Sequence, residues 1–381
     1  MKQYGVGIIG FGFMGKAHTY GYQTLSFYYD KLPFKTKLVG ICSRRAETVE
    51  EARELYGFEF GTTNPDELLS RNDIDIVHVC TPNASHKDLL IKAIQAGKHI
   101  YCDKPLVTSN AEAMEVLQEL KKAREAGKAI FNQMALQNRF FPVTLRAKQM
   151  IDEGYIGNPI SFRASYLHSG SVDPNKPIGW KLDKSIGGGG VLFDLGSHLL
   201  DLIYHLIGKY ASISVKTKVL YPKRPDSTGK IIDISAEDLV VITAEMKNGA
   251  VGTLEASKIA TGTNDELRVE IHGDKGAIRF NLMEPNWLEF YDNRLSDQPL
   301  GGVKGFTRIE CIQRYEKPGG SFPPSKLAIG WIRSHVHSLY NFLSCVNEGV
   351  QASPSLEEGA YIQLVMEKAY EANKSGCWVN L

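Results

Sequence analysis

Short apolar runs alternate with helical patterns through the first third of the chain. Five runs are typical of buried strands: Tyr4–Gly10, Lys37–Cys42, Ile74–Thr81, Lys98–Asp103 and Ala129–Gln133. Three helical patterns between them stop just before a glycine: Ala46–Tyr56, His86–Ala96 and Asn110–Ala126. Glycine readily adopts the left-handed conformation that ends a helix. This alternation predicts βαβ units in a parallel sheet, and strands this continuously apolar need cover on both faces.

The rhythm changes after about residue 133, where longer alternating runs appear. Two helical patterns, Pro142–Glu153 and Val191–Ile207, lie among them. The predicted strands are Ile160–Leu167, Ser212–Tyr221, Asp238–Met246, Ala250–Lys258, Leu267–Gly273, Ala277–Leu282, Trp287–Asp292 and Thr307–Tyr315. Hairpin signals such as Asn248-Gly249 join them, which favours an antiparallel sheet. Two helices close the chain, Ser334–Asn347 and Leu356–Lys374.

The predicted fold class is α/β with two domains. Residues 1–133 form a doubly wound parallel sheet of the Rossmann type, and residues 134–381 form an α/β domain with a large, open, mostly antiparallel sheet. Three connections rich in proline and glycine are predicted to be surface loops or lids: Pro222–Gly229, Pro299–Gly305 and Pro318–Pro324.

Composition narrows the class of protein. The 381 residues exceed one ordinary domain, and 44 Lys and Arg against 43 Asp and Glu leave a formal charge of +1. This balance argues against nucleic acid as a partner, and we expect no membrane-spanning helix and no signal peptide. The six cysteines are scattered without a C-x-x-C pair, so reduced thiols and a cytoplasmic location are expected.

A glycine pattern follows the first predicted strand. Gly10-Phe11-Gly12-Phe13-Met14-Gly15 matches G-x-G-x-x-G, as does the overlapping Gly5-Val6-Gly7-Ile8-Ile9-Gly10. Only the later match lies between a strand and the start of a helix, where backbone N–H groups and the helix dipole can face a pyrophosphate. We therefore predict a dinucleotide site that includes Gly10, Gly12, Phe13, Met14 and Gly15.

The end of the second strand bears on which dinucleotide binds. A site that prefers NAD usually carries Asp or Glu there, whereas an arginine accommodates the 2′-phosphate of NADP. The chain reads Cys42-Ser43-Arg44-Arg45, with no acid. Ser43 and Arg44 therefore favour NADP, or use of both cofactors. The alternative is that both arginines belong only to the solvated first turn of the next helix.

Further candidate groups follow the later strands, at the edge where parallel sheets bind ligands. The cofactor-binding candidates are Thr81, Pro82, Asn83, His86, Asp103, Lys104 and Gln133. A lysine at this edge can polarise a substrate oxygen, although a surface lysine before a turn is the alternative for Lys104.

Four consecutive glycines precede a helical run that carries Asp194, His198 and Asp201. Spacing of four residues places Asp194 and His198 on one face of an α-helix. A carboxylate can hold the histidine in one tautomer as a base, but the pair is equally compatible with a structural role. No third ligand follows the same logic, so we predict no metal. The glycines imply close backbone approach to a ligand or a neighbouring strand.

The order of these motifs resembles the glucose-fructose oxidoreductase/inositol dehydrogenase (Gfo/Idh/MocA) family over nearly the whole chain. The motifs that carry this resemblance are, in order, the glycine turn, Thr81-Pro82-Asn83 with His86, Asp103-Lys104-Pro105, Trp180, and Gly187–Gly190 before Asp194, His198 and Asp201. Val172-Asp173-Pro174-Asn175 and Leu327-Ala328-Ile329-Gly330-Trp331 resemble the levoglucosan dehydrogenase-like branch. The resemblance implies Lys104, Asp194 and His198 as catalytic residues, and a homodimer or homotetramer formed through the C-terminal sheet.

Two departures from the family pattern stand out. Asp103 occupies the position that the family usually gives to glutamate, so the carboxylate keeps its charge but lies one methylene further from a ribose or from Lys104. Gly190 and Gly196 flank the site where larger residues are common, which predicts a roomier pocket.

The predicted activity is hydride transfer between a nicotinamide cofactor and a secondary hydroxyl of a sugar, glycoside or cyclic polyol. His198 takes the hydroxyl proton, Asp194 orients the imidazole, and Lys104 stabilises the alkoxide. Sugar contacts are predicted at Arg139, Tyr166, His168 and Trp180, alongside Asp194 and His198. The alternatives are a glycosidase that oxidises its sugar transiently with bound NAD, and a dinucleotide-binding sensor without activity.

Overall fold

The computed structural model describes residues 1–312, 317–320, 322 and 327–381. The chain divides into two compact units. The first consists mainly of Met1–Gln137 and Trp331–Gln363, and the second mainly of Asn138–Tyr315 and Leu364–Leu381. By these contacts the first long segment ends at Gln137, whereas the sequence placed the domain boundary between residues 133 and 134, and Trp331–Gln363 belongs to the first unit.

The first unit contains a six-stranded parallel sheet in the order β3-β2-β1-β4-β5-β6. Its strands are β1 (Lys2–Ile9), β2 (Phe34–Cys42), β3 (Phe60–Thr62), β4 (Ile76–Val79), β5 (His99–Cys102) and β6 (Asn132–Met134). The strand order reverses direction between β1 and β4. In open α/β sheets, ligands bind outside the carboxyl ends of the strands at such a point.

Five helices connect these strands: α1 (Phe13–Tyr28), α2 (Ala46–Tyr56), α3 (Pro65–Leu69), α4 (His86–Gln95) and α5 (Asn110–Glu125). The predicted glycine stops are confirmed, since Gly57, Gly97 and Gly127 all have positive φ at the ends of α2, α4 and α5. The short strand β3 was not predicted, because three residues carry too little periodicity.

The second unit is built on a nine-stranded sheet in the order β16-β15-β14-β13-β7-β12-β11-β8-β17. Its strands, with those of a separate two-stranded ribbon, are β7 (Pro159–His168), β8 (Tyr210–Lys218), β9 (Lys223–Pro225), β10 (Ile231–Asp233), β11 (Leu239–Met246), β12 (Val251–Ser257), β13 (Asp265–Gly273), β14 (Gly276–Asn281), β15 (Trp287–Asp292), β16 (Phe306–Glu310) and β17 (Val379–Asn380). Only the β7–β12 pair in the large sheet is parallel, so the predicted, mostly antiparallel sheet is confirmed.

The remaining helices are α6 (Pro142–Asp152), α7 (Lys184–Gly187), α8 (Ser197–Ile207), α9 (Trp331–Glu348) and α10 (Leu356–Ser375). In the second unit α8 contacts β7 and β12, and α6 contacts α8. Alternate residues of β11 are buried, as Val240, Ile242 and Ala244 illustrate. This alternation is typical of a sheet with one packed and one more open face.

One expectation for the second unit needs correction. Pro222–Gly229 is not simply a surface loop, because it contains β9, which pairs with β10. Arg224 of β9 is one of the largest fully buried side chains and donates to the carbonyl oxygens of Ser171 and Asp173. Beyond β16, residues 313–315 of the last predicted strand lie outside the described residues.

Among the described residues, Lys184–Ile207 is long and apolar enough to span a membrane by length and composition. A buried core helix meets the same criteria, so this finding does not contradict the expectation of no membrane-spanning helix. In the structure, 83% of its most apolar window is buried. This burial is typical of a core helix.

A hydrogen-bonded chain of polar side chains crosses the core of the first unit. Tyr22 Oη lies 2.7 Å from His78 Nε2, and His78 Nδ1 lies 3.1 Å from His18 Nδ1. Cys80 Sγ lies 3.1 Å from the same His18 nitrogen. Among the described residues, His18, His78 and Cys80 form the one group close enough to hold a metal ion. Their contacts with one another are already those of hydrogen bonds, so we assign no metal.

The buried imidazoles predict that acid destabilises the protein. Burial lowers the pKa of His18 to about 4, and it lowers the pKa values of His78 and His335 well below the usual range. The unfolded chain therefore binds more protons than the folded protein between pH 6.5 and 4. The free energy of unfolding consequently decreases as the pH is lowered through this range. His18 alone should account for a loss of about 2–3 kcal/mol in the free energy of unfolding as the pH is lowered across this window.

Urea unfolding between pH 7.5 and 5 measures this dependence. We expect the wild type to lose stability as the pH falls, and His18→Leu to show a shallower loss because it removes one of the titrating groups. Identical pH slopes for the two proteins would contradict the assignment to His18.

Candidate active site

The three glycines of the turn after β1 have three different surroundings. Gly10 has φ +96°, and a Cβ there would lie 2.6 Å from the carbonyl oxygen of Cys80. A Cβ at Gly15 would lie 2.3 Å from the carbonyl oxygen of Gly10, whereas a Cβ at Gly12 would meet nothing within 4 Å. Gly10 therefore shapes the turn and Gly15 allows close packing. The open space at Gly12 is where a dinucleotide's pyrophosphate would approach, so the residues present suit that group.

The end of β2 presents a polar side chain and an arginine. Ser43 donates its backbone N–H to the carbonyl oxygen of Thr62, at 3.2 Å, and is partly exposed. The adjacent Arg44 is exposed. No acidic side chain occupies this strand end in the sequence.

His86 is a buried structural residue. Its Nε2 lies 2.8 Å from the carbonyl oxygen of Thr81, and its Nδ1 lies 3.1 Å from the carbonyl oxygens of Pro105 and Leu106. The imidazole thereby ties together the segments that follow β4 and β5. The prediction that His86 contacts the cofactor is not supported, because the side chain is fully buried among protein groups.

Gln133 is also directed into the protein. Its amide nitrogen donates to the carbonyl and hydroxyl oxygens of Ser338, at 3.0 Å each. Its amide oxygen accepts from Asn341 at 2.9 Å, and the side chain is fully buried. The cofactor contact predicted for Gln133 is therefore not supported, since its polar atoms hold β6 against α9.

Asp103 and Lys104 follow β5 and are partly exposed. The carboxylate of Asp103 accepts the backbone N–H of Lys104 at 2.8 Å. The shorter acid in this chain thus stabilises its own turn. Thr81 and Pro82, which follow the neighbouring strand β4, are likewise partly exposed, and Asn83 is buried.

In the second unit, Asp194 lies in a π-helical turn, Leu192–Gly196, that leads directly into α8. Asp194 thus lies in the π turn and His198 near the start of α8, rather than both in one regular α-helix, and the predicted common face of the two side chains stays a prediction. Such turns are frequent at functional sites because they re-aim side chains on an otherwise regular helix.

Glu237 holds the start of this turn. Its Oε1 accepts the backbone N–H groups of Gly190 and Leu192, at 3.0 and 3.1 Å, and the hydroxyl of Tyr370 at 2.8 Å. A Cβ at Gly190 would lie 2.3 Å from the carbonyl oxygen of Glu237. The absent side chain at Gly190 therefore makes room for protein backbone, and the predicted roomier pocket is wrong there.

Gly196 gives no support to a roomier pocket either. A Cβ at Gly196 would lie 2.9 Å from Leu192 Cδ1. Both glycines thus serve close packing around the π turn.

The carboxylate of Asp194 binds two ammonium groups. Lys181 Nζ lies 2.7 Å from Oδ1, and Lys258 Nζ lies 3.0 Å from Oδ2. Neither lysine was a candidate in the sequence. These ion pairs hold the Asp194 carboxylate in place. The orientation of His198 by Asp194 stays a prediction.

A second polar group surrounds Tyr166 on β7. Burial raises the pKa of the Tyr166 hydroxyl well above its usual range, and the neighbouring Asp265 carboxylate adds to this. Burial alone would raise the pKa of Asp265, but hydrogen bonds from His168 and Tyr166 outweigh it and hold that pKa below its ordinary value. The ring of Tyr166 lies 6.0 Å from that of His198. Tyr166, His168 and His198 therefore belong to one neighbourhood, and Asp265 joins them. Their contacts with a sugar stay a prediction.

Arg139 and Trp180 differ sharply. Arg139 is buried and binds Asp201 through Nε at 2.8 Å and Nη2 at 2.5 Å. This ion pair links the segment before α6 to α8, so the predicted sugar contact of Arg139 is not supported. Trp180 is 38% exposed in the short 3₁₀ turn Trp180–Leu182, and it remains a candidate for stacking on a sugar ring.

The strand order, the glycine turn and the open space at Gly12 define a dinucleotide-binding protein of the Rossmann class. Comparison with known proteins agrees. Residues 4–130 match the model of the oxidoreductase family with an NAD-binding Rossmann fold, and residues 144–279 match the Gfo/Idh/MocA C-terminal domain. The chain belongs to the Gfo/Idh/MocA family of oxidoreductases.

Among curated relatives, levoglucosan dehydrogenase of Pseudarthrobacter phenanthrenivorans is 31% identical, over 100% of this chain and 99% of the relative. Myo-inositol 2-dehydrogenase of Thermotoga maritima is 28% identical, over 85% and 92% of the two chains. A solved structure of levoglucosan dehydrogenase with NADH and levoglucosan superposes with a TM-score of 0.93 at 31% identity, covering 100% of this chain and 99% of the other. The chain is therefore similar to sugar and polyol dehydrogenases over its full length.

Proposed function

We propose that the protein oxidises a secondary hydroxyl of a neutral sugar or cyclic polyol with a nicotinamide cofactor, and that levoglucosan is the first substrate to test. The supporting observation is the cluster of hydroxyl-reading groups in the second unit, His198, Tyr166, His168, Asp194 and Asp265. Imidazole, phenol and carboxylate groups can donate to and accept from several hydroxyls of one ring. The full-length similarity to levoglucosan dehydrogenase supports the same class of substrate.

The chain's own residues provide binding and proton transfer. The glycine turn and the segment Thr81–Asn83 would hold the dinucleotide, which supplies the hydride acceptor when bound. His198 would remove the proton of the reacting hydroxyl, because an imidazole can act as a base near neutral pH. Lys104 would stabilise the negative charge that develops on the substrate oxygen.

A panel of sugars and polyols tests this proposal. Purified protein with NAD and with NADP is given levoglucosan, myo-inositol, scyllo-inositol and glucose, and absorbance of the reduced nicotinamide is followed. Net reduced cofactor with at least one of these compounds supports the proposal. Release of free sugar from a glycoside without net reduced cofactor would indicate the transient-oxidation glycosidase instead. Cofactor binding without either reaction would indicate a sensor.

We further propose that Ser43 and Arg44 allow NADP to bind alongside NAD. Arg44→Ala should weaken NADP binding by about 1–3 kcal/mol, the range for a charge-assisted hydrogen bond, and should change NAD binding much less. Calorimetric titration with both cofactors measures the difference. Equal losses, or a wild type that binds NADP no better than Arg44→Ala does, would show that Arg44 has no role beyond the first turn before α2.

The homodimer or homotetramer implied by the family remains a proposal for this chain. The large sheet carries exposed ion pairs such as Arg163–Glu270, 3.2 Å apart, and Arg279–Glu289. Mixed charges of this kind can pair with a second copy of the same face. The cytoplasmic location also stays a prediction.

A further inference from the structure

The two ammonium groups on Asp194 differ in burial. The side chain of Lys258 is 9% exposed, whereas that of Lys181 is 49% exposed. Each binds a different oxygen of the carboxylate, which is itself 13% exposed. One ion pair is therefore shielded by protein and the other meets solvent.

The backbones that carry the two lysines are also held differently. Lys258 follows β12, where its N–H donates to the carbonyl oxygen of Asp238 and its own carbonyl oxygen accepts from Ser171, both at 2.9 Å. Lys181 lies in the three-residue 3₁₀ turn after Gly179. Lys258 thus comes from the end of a sheet strand with partners on both sides, and Lys181 comes from a short turn.

Burial decides what each ion pair contributes. Removing one partner of a buried pair leaves the other charge uncompensated, which is strongly destabilising. A solvent-exposed pair contributes little, because water and salt screen both charges. The position of the Asp194 carboxylate therefore depends on the ammonium of Lys258. The ammonium of Lys181 can move away from the carboxylate with little loss of stability.

We propose that Lys258 is a positioning residue that fixes the Asp194 carboxylate through Oδ2, while Lys181 occupies on Oδ1 the place that a substrate hydroxyl takes. The first part concerns the folded protein alone. The second part rests on the proposed function, because it requires a polyhydroxylated substrate at Asp194. In this proposal Oδ2 of Asp194 stays bound to Lys258, and Oδ1 exchanges Lys181 for a substrate hydroxyl.

Lys258→Met and Lys181→Met form a matched pair of variants, since each removes one ammonium from the same carboxylate and keeps most of the stem. We expect Lys258→Met to lower kcat/KM by about 10²–10³-fold, mainly through kcat, because a misplaced carboxylate no longer orients the reacting groups. The acid limb of its pH profile, which reports the base, should move to higher pH, because an Asp194 carboxylate that loses its buried counter-charge stabilises the protonated form of the His198 imidazole that it is proposed to orient. Lys258→Arg should recover part of the loss.

Lys181→Met should instead lower KM by about two- to fivefold, because the substrate no longer competes with an ammonium for Oδ1. Equal losses of kcat/KM in the two methionine variants would overturn the proposed division. A larger loss at Lys181, or an unchanged acid limb in Lys258→Met, would overturn it as well.

Thermal unfolding without substrate or cofactor tests the positioning role separately from the reaction. Lys258→Met should lower the midpoint by roughly 4–6 °C, and Lys181→Met by less than about 2 °C. Adding Asp194→Asn to Lys258→Met should recover stability, since a neutral amide does not depend on the exposed ammonium of Lys181, which is all that remains beside it. No recovery would overturn the Lys258–Asp194 coupling.

The double variant also serves if Lys258→Met alone does not fold, because its folding would itself be the predicted recovery. If the wild type reacts with none of the sugars tested while the single and double variants unfold as predicted, the proposed function is wrong and the positioning role of Lys258 stands.

Discussion

Replacing His198 by alanine should lower kcat by about 10²–10⁴-fold with nearly unchanged affinity for the cofactor. The size follows from the usual contribution of a positioned general base. The imidazole lies in the second unit beside Tyr166, whereas the glycine turn belongs to the first. Steady-state kinetics together with NADH titration separates the two effects, and the pH profile of kcat/KM should lose the limb that reports the base.

Lys104→Met is the companion variant for this assignment. It removes the positive charge proposed to face the substrate oxygen, so we expect a loss of similar size to that of His198→Ala. A His198→Ala enzyme that keeps more than about a tenth of wild-type kcat, with its pH profile intact, would contradict the role of His198 as base. If Lys104→Met alone abolished the pH-dependent limb, the lysine would be the acid/base group.

Replacing Gly12 by valine should weaken NADH binding at least about a hundredfold while the protein stays folded. A Cβ at Gly12 meets no protein atom within 4 Å, and the backbone there has φ −86°, which L-residues adopt readily. Only a bound dinucleotide is therefore expected to exclude the new side chain. Calorimetric titration with NADH measures the loss, and circular dichroism reports the fold.

Gly305→Val is a matched control for this experiment, because a Cβ at Gly305 also meets no protein atom within 4 Å. It should bind NADH as the wild type does. Gly10→Val should differ from both, because its side chain would collide with the carbonyl oxygen of Cys80 and destabilise the turn itself. Unchanged NADH binding by Gly12→Val would contradict the placement of the pyrophosphate.

The strands and helices of the Rossmann-type unit could be predicted from local sequence patterns. Helix α2 has the predicted bounds, because a glycine with positive φ ends it immediately after Tyr56. The position of the later glycine pattern was also predicted correctly, since only Gly10–Gly15 runs from the end of β1 into the first turn of α1. Periodicity and glycine positions are properties of neighbouring residues, and the sequence displays them directly.

The candidate site was harder to predict because its contacts join residues far apart in the chain. The ion pair of Lys258 with Asp194 spans a separation that no local pattern reveals, and a lysine at a strand end usually indicates the surface. The ion pair of Arg139 with Asp201 likewise joins residues that are neighbours only in the folded unit. The π turn at Asp194 could not be predicted either, because the residue pattern there is that of an ordinary helix.

The most direct test of the proposed reaction follows the hydrogen on the reacting carbon. A sugar that is oxidised in the panel is prepared with deuterium on each secondary carbinol carbon in turn and incubated with the protein and oxidised cofactor, and both products are examined by mass spectrometry. We predict that one labelled position delivers its deuterium to the nicotinamide and that the sugar product is a ketone. Deuterium retained in the sugar at every position, with no labelled reduced cofactor, would contradict net hydride transfer from a secondary hydroxyl.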